Sequence, residues 1–207
     1  ALVVTRQAIR HTLQFNACDL LDAAFQVPAR IGVRLQFDLG LGSLGHRRIG
    51  FISNAPLSYA GAQDRFAGYV QAMGEHDLEQ DPALVQTANF IPGSGHAAME
   101  RLLSLDTRPT AVFAAGDVVA IGAMSAVQNA GLRVPDDMAV VGFDDIFLAA
   151  HVHPRLTTVH VPAYGLGWTA AEVLVTLIEG DEEVTSVTLE TELIVRESCG
   201  APPSGQV

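Results

Sequence analysis

Met138 to Asp145 reads MAVVGFDD, and the fold turns on it. Six apolar residues in a row show no polar alternation, so both faces of the segment must be covered, and the run stops abruptly on two carboxylates. A strand of this kind belongs in the middle of a parallel sheet, and carboxylates at its carboxyl end sit where open α/β sheets bind ligands. Ala111 to Ala115 repeats the pattern: a small apolar strand, followed by Asp117 placed to cap a helix over Val118 to Ala130, with Gly131 at the C′ position that ends it. Upstream, Arg48 to Ser53 (RIGFIS) predicts a strand. Ala62 to Glu75 predicts a helix, with Phe66, Tyr69, Val70 and Met73 on one face. A strand near Leu84 to Ala88 leads to Ser94, read as the N-cap of a helix carrying Ala97, Ala98, Leu102 and Leu105. Downstream, Arg133 to Asp137 reads as a turn, Leu156 to Val161 as an extended connector, Tyr164 to Glu179 as a helix and Val187 to Val195 as a closing strand. From Gly45 onward this alternation predicts an α/β fold around a parallel sheet. Ala1 to Leu44 has apolar residues without a sustained period and predicts only weak elements.

Composition narrows the function. In 207 residues, 49% hydrophobic and 17% charged, there is enough apolar material for a sizeable core. No apolar run approaches the roughly 20 residues of a membrane-spanning helix. Ala1 to Arg10 lacks an apolar stretch followed by a cleavage site, which makes a cytoplasmic location the expectation. Twelve basic against 23 acidic residues give a net charge of −11, which repels a phosphate backbone, and the arginines form no segregated patch. Every basic residue is arginine, so Schiff-base lysine chemistry and the phosphate-loop lysine are excluded. Cys18 and Cys199 are far apart, without Cys-x-x-Cys spacing, and read as unrelated buried thiols.

Several short motifs have ordinary readings. Gly40 to Gly45 matches G-x-G-x-x-G, but that mechanism needs a helix next and a strand-like run follows, so a flexible connection is expected. His151, His153 and His160 lack the carboxylate or cysteine that would complete a metal site and read as loop histidines. Ser94 beside His96 lacks a nucleophile motif. Asp144 and Asp145, as strand neighbours, point to opposite faces and cannot share a proton; one of them is expected to face a cleft.

An ordered series of segments runs through about three quarters of the chain. It comprises Gly45 to Ile52, Arg65 to Tyr69, Phe113 to Asp117 with Ala120 to Ala123, Gly131 to Asp137, Val140 to Asp145, Leu156 to Val159 and Leu193 to Ser198. Taken together it resembles the effector-binding region of the lactose- and galactose-repressor family of transcriptional regulators, whose core is similar to periplasmic sugar-binding proteins. The resemblance implies two lobes that clamp a small ligand. Residues 45–161 would be the carboxyl-terminal lobe, 162–185 a helix of the other lobe, 186–207 a closing strand and tail, and 1–44 a divergent front segment. The helix-turn-helix head, the hinge helix and most of the first lobe would precede Gly45, and residues 1–44 do not match them; the first lobe is therefore expected to be incomplete.

The resemblance also implies a site. Arg65 would donate paired hydrogen bonds to ligand hydroxyls or a carboxylate, Asp144 would accept from sugar hydroxyls, and Phe90 would lay its ring against the apolar face of a sugar or base. Asp117 completes the ligand-binding set. The family usually has asparagine before that aspartate; Gly116 stands there instead and removes one amide. The implied function is non-enzymatic: a cytoplasmic, homodimeric sugar sensor, with no cofactor or metal, that reaches operator DNA only through a head outside this segment. A transport-linked sugar-binding protein, or a nucleotide-dependent enzyme using Gly40 to Gly45, are the alternatives.

Overall fold

The computed structural model describes Leu41, Gly42, residues 44–179 and residues 189–202. Most of the front segment and the start of the expected closing strand lie outside the described residues. In chain order the elements are β1 (Ile49–Ser53), α1 (Ala60–Glu75), β2 (Val85–Thr87), α2 (Pro92–Leu103), β3 (Ala111–Ala114), α3 (Asp117–Asn129), β4 (Ala139–Asp144), β5 (Thr157–His160), α4 (Ala163–Glu179) and β6 (Glu192–Ile194). Short 3-10 turns occupy Pro82–Leu84 and Phe147–Ala150. The strands form one sheet in the order β2-β1-β3-β4-β5-β6, parallel except for the antiparallel β5-β6 pair.

This order sets the site. The chain leaves β1 through α1 to reach β2 on one side, then returns through α2 to β3 on the other, so the loops after β1 and β3 diverge, and the carboxyl ends of strands at such a switch point are where open α/β sheets bind ligands. Register places Phe51 beside Phe113 and Phe113 beside Val141 on one face, with Ile52 beside Ala114 and Val112 beside Val140 on the other. On the first face Phe51 packs against Phe66, Tyr69 and Phe113 at centroid distances of 5.1 to 5.5 Å. On the second, Leu84, Met99, Leu102, Val119, Val127 and Leu156 close a continuous core. Each such large side chain contributes roughly 1.5–3 kcal/mol by leaving water. The α2 and α3 backbones touch: a Cβ on Gly95 would meet the Val119 carbonyl, and one on Gly122 the Pro92 carbonyl. Gly131, at φ +74, ends α3 with the paired bonds Gly131 N–H to Gln128 O and Leu132 N–H to Val127 O.

Three local expectations are corrected. Helix α2 begins at Pro92, not after Ser94; proline suits the first turn because its missing N–H would be unpaired there anyway. Ser94 Oγ instead accepts from Asn89 N–H at 2.8 Å and donates to Ile91 O at 2.7 Å. Asp117 is the first residue of α3 and makes no cap bond, because its carboxylate turns inward. Leu156 to Val161 is not a connector: Thr157–His160 is a full strand paired to β4, its buried threonine hydroxyls satisfied by distant groups. After Gly45, whose N–H reaches Gly42 O at 3.1 Å, comes β1 and not a helix.

The sheet with α1 to α3 belongs to one compact unit and Pro162–Glu190, containing α4, to another. Helix α4 exposes Tyr164 and Trp168, their rings stacked 6.4 Å apart, with Leu174 and Val175 also exposed. Among the described residues no helix is long and apolar enough to cross a membrane.

Candidate ligand-binding site

Asp144 is the last residue of β4 and has φ +111; Asp145 follows at φ +56. Side-chain-bearing residues seldom adopt such angles, and a turn that does so twice re-aims both side chains. Phe90, in the loop between β2 and α2, has φ +51, so three of the four positive-φ residues other than glycine among the described residues belong to this end of the sheet. Phe90 is held there by its N–H donating to Asn54 O at 2.8 Å and by the neighbouring Asn89–Ser94 bond. Phe90 is 53% exposed, and its ring meets that of Tyr59, also exposed, edge-on at 6.3 Å.

Arg65 projects from α1 over the same edge. Its Nη1 donates to Ala115 O, just beyond β3, at 2.9 Å, and its Nη2 reaches Asp144 Oδ1 at 3.4 Å. The guanidinium lies 4.3 Å from the centroid of the Phe143 ring, so a carbonyl and a π face fix its plane. A charge-assisted N–H···O bond of full strength is about 2.7–2.9 Å long; the contact to Asp144 is slack, and both groups keep bonding capacity for a ligand. Burial lowers the Arg65 pKa, with Asp144 and then Asp117 opposing it. Burial likewise pushes the Asp144 carboxyl up to about 6, while Arg65 pulls it back. Arg65, Asp144 and Phe90 are thus linked through the ends of β1, β3 and β4.

Asp117 differs from its expectation as a ligand contact. It is fully enclosed; Oδ1 accepts from the Thr158 hydroxyl at 2.6 Å and Oδ2 from Ile146 N–H at 2.9 Å. Burial pushes its carboxyl up to about 7 against those two hydrogen bonds, with Asp144 and Asp145 adding to the rise. It braces the loop after β4 from beneath and offers no exposed oxygen. Asp145 is likewise committed, to Arg196 Nη2 at 2.7 Å and His160 Nδ1 at 3.0 Å. Two further motif histidines have partners: His151 Nδ1 lies 2.9 Å from Phe147 O, and His96 Nε2 lies 3.1 Å from Asn129 Nδ2.

Sequence reading missed Asn54, Tyr59 and Phe143. Phe143 stands beside the aspartate pair and carries a signal in hindsight; Asn54 and Tyr59 sit in a loop with no motif.

A parallel sheet whose switch point gathers a donor fork, a carboxylate and an open aromatic ring defines a ligand-binding α/β lobe. The chain belongs to the periplasmic binding protein-like domain family, which it matches over residues 41–199. It is 37% identical over 155 residues to the HTH-type transcriptional repressor PurR of Mannheimia succiniciproducens, covering 74% of this chain and 46% of that one. To the PurR repressor of Escherichia coli it is 39% identical over 160 residues, covering 77% and 47%. Among solved structures, it superposes on the transcriptional regulator CelR in complex with cellobiose with TM-score 0.78 and 37% identity, covering 83% of this chain and 52% of that one. On the Lac repressor dimer bound to operator and the anti-inducer ONPF the TM-score is 0.79 with 30% identity, covering 84% and 60%. The chain spans about half the length of the curated relatives it matches.

Proposed function

We propose that this chain is the effector-sensing part of a lactose-repressor-family transcriptional regulator, and that its ligand is a sugar or related polyol held by Arg65, Asp144 and Phe90. The observation that carries the reading is the slack Arg65–Asp144 pair, a donor fork facing an acceptor at the carboxyl edge of a parallel sheet. Vicinal hydroxyls both donate and accept, so such a pair reads their direction, while the Phe90 ring covers a C–H face or the plane of a base. The kinship with repressors and the likeness to a regulator holding cellobiose support this assignment. The site binds and releases without chemistry; ligand shifts the population between open and closed lobes, and α4 belongs to the first lobe. With net charge −11, operator contact falls to a helix-turn-helix segment of the whole regulator, which works in the cytoplasm as a homodimer.

Calorimetric titration of the chain with cellobiose, glucose, galactose, ribose and hypoxanthine tests the reading. One of the sugars binds, and Arg65→Ala weakens it on the order of 100-fold, the scale of a lost charge-assisted bidentate contact; binding of hypoxanthine alone contradicts the sugar assignment. Binding undiminished by Arg65→Ala contradicts the assignment.

A further inference from the structure

Gly116 follows β3 with φ 179, an extended conformation open to any residue, so the backbone does not require glycine there. Space does. A Cβ at this position would stand 3.2 Å from Asn54 Cβ, 3.5 Å from Asp144 Oδ2 and 3.7 Å from Asn54 Nδ2. The bare glycine therefore makes a niche between the ends of β1 and β4, with an amide on one wall and a carboxylate on the other. Asn54 is only 9% exposed, and its Oδ1 is buried without a hydrogen-bond partner. Arg65, whose Nη2 reaches the same Asp144, has a buried Nε in the same condition. A buried acceptor and a buried donor left unpaired are costly and uncommon in a folded protein, and each calls for a partner of the opposite kind. A half-turn of the amide exchanges its oxygen and nitrogen, so the end nearer Gly116 can present either.

We propose that Asn54 is a specificity-determining residue of this site, its amide hydrogen-bonding a ligand hydroxyl or N–H lodged against Gly116 while Asp144 and Arg65 hold the adjoining polar atoms. The inference rests on the ligand-binding reading above and adds to it one residue and one ligand group. With no side chain at position 116, the amide of Asn54, delivered from the end of β1, borders the space that a side chain after β3 would fill.

The test takes whichever compound of the panel binds the full chain, together with analogues that each lack one hydroxyl or one N–H. Asn54→Ala weakens the parent compound by about ten-fold, the scale of one hydrogen bond to a buried partner. A single analogue then binds the unaltered chain and Asn54→Ala equally, a pattern that mere loosening of the fold does not give. Gly116→Ala keeps Asn54 but fills the niche; it weakens the parent compound several-fold with an unchanged thermal midpoint, so the idea does not depend on one variant. Affinity of Asn54→Ala within about two-fold of the unaltered chain, or equal losses for every analogue on both chains, overturns the inference. If Arg65→Ala abolishes binding and Asn54→Ala does not, this inference alone falls; if neither matters, or nothing in the panel binds, the ligand-binding reading falls too.

Discussion

Asp144 and Asp145 leave β4 one after the other, yet the first is 40% exposed with a 3.4 Å contact to Arg65, whereas the second is 17% exposed and bonded to both Arg196 and His160. Arg196 in turn donates to Leu156 O at 2.8 Å, so the second cluster ties β6 to the start of β5 and the end of β4. Two successive positive-φ residues send the carboxylates to opposite sides, one to the slack contact with Arg65 and one into a joint. What separates the two sides is saturation: the joint has its hydrogen bonds at full strength, while the Arg65 side keeps a long contact, two unpaired buried polar atoms and two open aromatic rings. Backbone strain at both aspartates is tolerated because the joint on one side holds the turn whose other side keeps spare hydrogen-bonding capacity.

The contrast is broken most forcefully by removing the joint. Asp145→Ala strands the largely buried Arg196 guanidinium and lowers unfolding free energy by about 3 kcal/mol, read by chemical denaturation; a loss below about 1 kcal/mol shows that the joint is not structural. Asp144→Asn acts in the opposite direction. The folded carboxyl titrates near 6, above the roughly 3.9 of an unfolded aspartate, so the folded state holds a proton the unfolded chain has released. That contribution to stability is present below about pH 4 and is lost as the pH rises through about 6. At pH 8 the variant carries no such penalty and its thermal midpoint rises. Affinity behaves conversely: in the unaltered chain it falls as pH drops below about 6 and the acceptor is protonated, whereas Asp144→Asn binds more weakly with a flat profile. A midpoint that falls in Asp144→Asn as it does in Asp145→Ala erases the distinction. The smallest effect is at Phe90: Phe90→Gly relieves the positive φ, leaving the midpoint unchanged or higher, and weakens binding about five-fold by removing ring contact. Calorimetry and thermal denaturation of one preparation read both.

Strands β3 and β4 were legible because a run apolar on both faces has one home in an α/β fold. β5 was not: Thr157 and Thr158 look half-polar in sequence, and the groups that make them fit a core, Asp117, Arg196 N–H and Cys199 Sγ, lie about 40 residues away. The same distance hid the role of Asp117, whose place at a helix start reads as a cap until Thr158 and the Ile146 amide are brought to it. His160, grouped by spacing with His151 and His153, lies in β5 against Asp145. At the α2 start the signal was present in Pro92 and was outweighed by Ser94. At the site, Arg65, Asp144 and Phe90 came from a family pattern, whereas Asn54 emerged only once its buried oxygen was seen to lack a partner. Satisfaction of polar groups is a property of three dimensions, so no spacing in the chain announces it.

A polar ligand between Arg65 and Asp144 is the central placement. A crystal structure of the chain with the compound that calorimetry identifies tests it directly. The expected result is ligand oxygen or nitrogen atoms within about 3 Å of both Arg65 Nη2 and the Asp144 carboxylate, with the ring of Phe90 against the ligand face. Density for the ligand elsewhere, as in the apolar cavity lined by Phe66, Val70, Pro82 and Val85, with the Arg65–Asp144 contact unchanged, would contradict it.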